Sequence, residues 1–310
     1  MNKDSVILKL LQRYSGHKSG VYALEAKPGT NILWSGSGDQ IVAQWNVAEE
    51  NDGMMLAKST GIVYALKFIA QHNHLLIGQS SGGVHVINLE TNIEERLLQY
   101  HLSPVFHIAH NQQHNLIFTL AGDGTMNVLS ALDYHLIKTF FICEGKLRSL
   151  DFNPHKNECA IACGDGSIVI LSLPNCEPLH RFAAHKKDFS VNKVLYSSDG
   201  KLLLSGSRDA MLNVFSTDDY TLVKSIAAHN YAIYDIAFHS SQQLFATASR
   251  DKTIKLWNAK TFEVLARIDR EHYDGHTHSV NKLVWMGDKL VSTGDDRTVL
   301  VYDLQFAVAN

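Results

Sequence analysis

His17, Ser35, Asp39 and Trp45 bring together the side chains that a hydrolytic site would need: a hydroxyl to attack, an imidazole to take its proton and a carboxylate to orient the imidazole. The set returns as His229, Thr247, Asp251 and Trp257. Partial versions stand at His101/Thr119/Asp123, His185/Ser205/Asp209 and His276/Ser292/Asp296. A triad is one site with an exposed nucleophile and donors for an oxyanion, and a chain has no use for five of them. Residues copied at this rate belong to a repeated structural unit, so no catalytic residue is expected. His272, His276 and His278 match no metal-ligand spacing, and the cysteines Cys143, Cys159, Cys163 and Cys176 contain no C-x-x-C pair. Cys159 and Cys163, an even number of residues apart, share one strand face as small buried hydrophobes. Neither a metal nor a cofactor is expected.

The elements that must position these residues follow from the period. The carboxylate positions Asp39, Ser81, Asp123, Asp165, Asp209, Asp251 and Asp296 are separated by 42, 42, 42, 44, 42 and 45 residues. Between them lie short runs rich in β-branched and aromatic residues, such as 21–24, 33–35 and 41–45, punctuated by Gly, Asp, Asn and Ser. No helical periodicity competes. Four short strands per copy at this spacing predict the blade of a β-propeller, repeated seven times. Phe68, Phe152, Phe238 and Trp285 share one position at the end of the first strand and read as core between blades.

Gly16-His17 and Gly275-His276, the variants Ala184-His185 and Ala228-His229, and the fixed distance from turn aspartate to aromatic residue resemble the WD-repeat family over essentially the whole chain. No Trp-Asp dipeptide occurs; Trp45-Asn46, Trp257-Asn258 and Tyr302-Asp303 come nearest. The resemblance implies an all-β fold, with residues 1–310 forming a single seven-bladed β-propeller of four-stranded antiparallel blades. It also implies that indole, hydroxyl, imidazole and carboxylate form a hydrogen-bonded chain tying the loop that enters a blade to the turn between its middle strands. The last copy supplies three strands only, while residues 5–12 precede Gly16-His17 as 221–226 precede Ala228-His229. The N-terminal segment is therefore expected as the outer strand of the seventh blade, removing an open edge.

If the shared residues are spent on folding, function belongs where the frame is fixed and the residue type varies. One such ring is Tyr22, Tyr64, Phe106, Arg148, Asn192, Tyr234 and Asn281, which the resemblance puts around the channel mouth on the top face. A second, just before the turn, is Gly38, Ser80, Gly122, Gly164, Arg208, Arg250 and Asp295. Aromatic and arginine side chains are enriched interface anchors. They predict a non-catalytic scaffold that binds a protein or peptide with an apolar anchor and an acidic or phosphorylated group. A propeller enzyme or small-molecule binder would gather carboxylates and histidines at the mouth, and this ring holds no carboxylate. With 28 Lys and Arg against 31 acidic residues, the net charge of -3 argues against nucleic-acid and membrane partners. No apolar run reaches spanning length and no cleavage pattern follows the N-terminus, so a cytoplasmic monomer is expected.

Overall fold

In the computed structural model, residues 6–50, 53–239 and 243–306 are described. They form seven four-stranded antiparallel sheets, each running from an inner strand through two middle strands to an outer one. Blade one, for example, is Val21–Ala26, Ile32–Ser37, Ile41–Asn46 and Met54–Lys58, so its strands run one or two residues beyond the predicted ones. Middle strands are apolar on both sides, because each blade is packed between two others: Leu116–Ala121 is buried at every position. Outer strands such as Leu222–Ala227 are mostly exposed.

Blade seven consists of Val280–Met286, Lys289–Gly294, Val299–Phe306 and Val6–Tyr14. The last of these pairs antiparallel with Val299–Phe306, so the ring closes with the N-terminal strand as expected. Ser5 lies outside the described residues, and the strand continues to Tyr14 rather than ending at Gln12. Helix is confined to single turns. The extra residues before blade seven are taken up by Arg270–Tyr273, which Asp269 caps by accepting from the His272 N–H.

Blades pack through their middle and inner strands. Trp34 of blade one stacks near Phe68 of blade two, ring centroids 5.5 Å apart, and Phe118 meets Phe152 at the same distance. The aromatic residues predicted between blades are there. Gly206 is glycine for want of space, since a Cβ on it would lie 2.6 Å from Ile233 Cγ2 of the next blade.

The turn after the carboxylate position has one conformation in all seven blades. Its next residue is left-handed: Gln40, Gly82, Gly124, Gly166, Ala210, Lys252 and Arg297 have φ of 71°, 90°, 80°, 90°, 68°, 71° and 68°. A left-handed non-glycine costs roughly 1–2 kcal/mol. Blades one, five, six and seven carry that cost, and these are the blades where a histidine directly holds the turn aspartate. In blades two, three and four, where that bond is missing among the described residues, the strained position is glycine.

Candidate functional site

The repeated constellation has the internal geometry of a triad and the burial of a structural element. In blade one, His17 Nδ1 lies 3.1 Å from Asp39 Oδ2 and Nε2 lies 2.8 Å from Ser35 Oγ. Trp45 Nε1 donates to the same Oγ at 2.8 Å. The serine thus accepts from the indole and gives its own proton to the imidazole, which in turn donates to the carboxylate. Blade six repeats this with His229, Thr247, Asp251 and Trp257 at 2.9, 2.7 and 2.9 Å. His185/Ser205/Asp209 and His276/Ser292/Asp296 make the same bonds without an indole. Ser35, Ser205, Thr247 and Ser292 are 0% exposed, so no substrate reaches any of these hydroxyls.

Burial works against ionising Asp39, Asp209, Asp251 and Asp296, but backbone N–H donors and the imidazoles outweigh it and hold all four carboxyls below the usual range. Burial also pushes the His101 and His229 imidazoles below their ordinary value. Blade three departs from the expected pattern. There Thr125 Oγ1 stands between His101 Nδ1, at 3.1 Å, and Asp123 Oδ1, at 2.6 Å, so the carboxylate is reached by relay.

Blade seven carries a defect. Tyr302 occupies the tryptophan position, is 0% exposed, and its hydroxyl finds no partner among the described residues. Blade five has Phe215 at the same place, aligned on its strand pair as Tyr302 is on its own. Tyr302→Phe is therefore expected to stabilise the protein by about 1 kcal/mol, the lower end of the cost of a buried unpaired hydroxyl. An unchanged or lowered urea midpoint would show that the hydroxyl has a partner.

The variable positions are aimed by a repeated irregularity in the backbone. In six inner strands the pairing register skips one residue, and the residues skipped are Tyr22, Tyr64, Phe106, Asn192, Tyr234 and Asn281. Such a bulge turns a side chain out of the alternation of its strand. The seventh, Arg148, stands just ahead of the inner strand Ser149–Phe152. All seven line one pocket of about 350 Å³ at the channel mouth, together with Lys146, Lys282 and Asp295. Tyr22 and Tyr64 lie 5.6 Å apart, Tyr64 and Phe106 5.1 Å apart, and the Arg148 guanidinium lies 4.8 Å from the Phe106 ring centre. The arc of rings ends on a cation.

An adjoining pocket of about 470 Å³ shares Lys146, Arg148, Asn192 and Tyr234, and adds Arg208, Arg250 and Asp188. Gly164, Arg208, Arg250 and Asp295 of the second ring thus open onto the same surface as the first, while Gly38, Ser80 and Gly122 line neither pocket. Not all members are free to serve it. Asn192 donates to Ile233 O at 2.8 Å, and Asn281 donates to Val21 O at 3.0 Å and to Asp295 Oδ1 at 2.8 Å. These amides clip neighbouring blades together, a use that a single strand's sequence does not reveal. Lys146 and Lys282 at the mouth, and the exposed Tyr231, whose ring centre lies 6.0 Å from the Arg250 guanidinium, stand outside both variable rings and carry no signal in the repeat frame.

Below the mouth the channel is charged. Lys193 Nζ lies 3.1 Å from Asp235 Oδ1, and Asp235 Oδ2 accepts from the Leu283 N–H. Burial opposes charge on Asp235, yet the Lys193 and Lys282 ammoniums keep it below the usual range. Burial lowers Lys282, with Lys193 adding repulsion, and burial raises the Asp151 carboxyl to about 6. The ring is free of carboxylates but for Asp295 at its rim; the wall beneath it is not. His272, His276 and His278 part company, turning respectively to Asp269, to Ser292 and Asp296, and to Thr277.

Comparison with known proteins agrees with this architecture. The model for the WD domain, G-beta repeat, matches residues 8–46, 176–216, 220–258 and 269–303. WD repeat-containing protein 37 of Homo sapiens is 34% identical over 107 residues, a stretch that is 34% of this chain and 21% of that protein. The chain thus aligns with about a fifth of the length of that relative. THO complex subunit 3 of Arabidopsis thaliana is 20% identical over 308 residues, covering 98% of this chain and 84% of the other. The crystal structure of the WD40 β-propeller domain of Doa1 superposes with a TM-score of 0.83 at 15% identity, over 96% of this chain and 97% of that one. Seven closed blades, the histidine-to-aspartate tethers and the matched repeats lead to one conclusion: the chain belongs to the WD-repeat family of β-propellers.

Proposed function

We propose that this propeller is a protein-interaction scaffold whose top face binds a segment of a partner protein, an apolar or aromatic residue lying against the Tyr22, Tyr64 and Phe106 arc and an adjacent acidic or phosphorylated residue reaching the arginines. WD-repeat propellers in general act as platforms for protein partners. The observation that carries the reading here is the Arg148 guanidinium, which lines both pockets where they join. Arg148 Nε is shielded from solvent and without a hydrogen-bond partner among the described residues, and burial lowers its guanidinium below the ordinary value. An anion placed there would meet a donor fork already fixed against the Phe106 ring. Arg208 and Arg250 extend the positive surface, opposed at the rim only by Asp188 and Asp295 among the lining residues.

The test couples partner capture to melting. Tyr22→Ala, Tyr234→Ala, Arg148→Glu and Arg250→Ala are compared with the unaltered chain against any co-purifying protein, then against its binding segment as a peptide. Loss of one charge-assisted bond of about 1.5–3 kcal/mol predicts roughly 10- to 150-fold weaker binding for Arg148→Glu, with added salt weakening the unaltered complex. Unchanged capture by all four variants, with unchanged melting, removes the proposal.

A further inference from the structure

Blade four is built differently at the two points where other blades tie their entry loop to the turn. Three periods of 42 residues carry His17, Ser37 and Asp39 onto Cys143, Cys163 and Asp165. In blades one, five and six the serine at the second position donates to a carbonyl of the entry loop: Ser37 to Ser19, Ser207 to Phe189 and Ser249 to Tyr231. In blade four both positions are thiols, and Asp165 has lost its imidazole.

What replaces the tether is a cluster. The sulfurs of Cys143 and Cys163 and a carboxylate oxygen of Asp165 all lie within 4.8 Å of one another. Cys143 comes from the entry loop, Cys163 from the end of the second strand and Asp165 from the turn, so the three segments that the histidine joins elsewhere meet here. The Cys143 sulfur faces the Cys163 thiol and the Gly164 N–H. Asp165 Oδ1 accepts from the Ser167 N–H and hydroxyl, and Oδ2 accepts from Arg181 Nη2 at 2.6 Å, which fixes the carboxylate and leaves a lone pair on Oδ2. The thiols are 2% and 0% exposed, while Asp165 is only partly buried and opens the cluster to solvent.

We propose that Cys143, Cys163 and Asp165 form a site for a thiophilic divalent metal ion, zinc being the best match, which ties the blade-four entry loop to its turn. Thiolates and carboxylates are both zinc ligands, with bonds of about 2.3 Å to sulfur and about 2.0–2.2 Å to oxygen, and three protein ligands leave a fourth position for water. Binding replaces two S–H protons by two metal–sulfur bonds and releases the protons to solvent. Arg181 offsets the charge that the thiolates and Asp165 bring beyond that of the ion. Cys159 and Cys176, which stand outside the cluster, serve as internal controls. No local motif marks this cluster, because its thiols are neighbours through the frame of the blade.

The reduced, chelator-treated full chain is titrated with cadmium, read by its ultraviolet thiolate charge-transfer band, and with zinc, read by melting temperature. The expected result is one equivalent bound, a band of two-thiolate intensity, and a raised melting temperature that Cys159→Ser and Cys176→Ser retain. Asp165→Asn should weaken zinc by about ten-fold or more through loss of one of three protein ligands, and Cys143→Ser with Cys163→Ser should abolish the band. Absence of the band in the unaltered protein with cadmium in excess overturns the proposal without needing any variant. So does a band that survives the double substitution, or a pair of thiols that closes to a disulfide with mild peroxide and never yields the band.

Discussion

A chain lacking residues 1–14 is expected to lose its cooperative melt. Val6–Tyr14 is the fourth strand of blade seven, and its removal exposes the edge of Val299–Phe306 along its length. Leu8 and Tyr14 are buried, and Val6 and Leu10 pack against the same blade core. At ~1.5–3 kcal/mol per fully buried apolar side chain, Leu8 and Tyr14 alone amount to roughly 3–6 kcal/mol, a large share of the stability of an ordinary domain, and the half-buried Val6 and Leu10 add to it. Tyr14 adds a specific link across the seam between last and first blades, its ring stacked on Trp45 at 5.0 Å and its hydroxyl donating to Asn46 O at 3.0 Å. The peptide 1–14 added in trans should restore part of the transition in proportion to its concentration, as linkage requires. Leu11→Ser, on the exposed side of the strand, should change little. A truncated chain melting within a few degrees of the full one would mean that closure contributes nothing to cooperativity.

The second large effect is expected at Thr247. Its hydroxyl is the joint of the blade-six network, accepting from Trp257 Nε1 and bonding His229 Nε2. Thr247→Val keeps the shape and strands both ring nitrogens in the core, at about 2–4 kcal/mol and a melting temperature lower by roughly 5 °C or more. The comparison that isolates the network is Trp257→Phe, the residue type blade five already uses at Phe215. In that background Thr247→Val strands only the imidazole, so its cost should fall by at least about 1 kcal/mol. Blades two and four put Ile77 and Ile161 at the joint without penalty because Ile87 and Leu171 bring no indole to be satisfied. Strict additivity of the two substitutions would mean that the four groups act independently and that the network description fails.

Much of this was legible along the chain because it is written repeatedly. The carboxylate period fixes the number of blades, and the pairing of His229 with Thr247 and Asp251 can be inferred once the same set is seen at His17, Ser35 and Asp39. Even the mouth residues could be picked out, since a fixed frame with varying side chains marks positions that the shared blade pattern does not dictate. Their direction could not. A register skip at Tyr22 or Tyr234 depends on how an inner strand pairs with its neighbour, and no residue type in those strands announces it.

The sequence by itself determined the repeat, the count of blades and the tether, because each rests on contacts within one copy whose members recur at fixed spacing. Only the tertiary structure decided which side chains the ring leaves unsatisfied or joins across copies. Arg148 lies bare at the junction of two pockets, Asn192 and Asn281 are drawn off to clip adjacent blades, and Cys143 meets Cys163 and Asp165 where other blades put an imidazole. Such pairings follow from curvature, bulges and packing between distant segments, and distance along the chain carries no record of them.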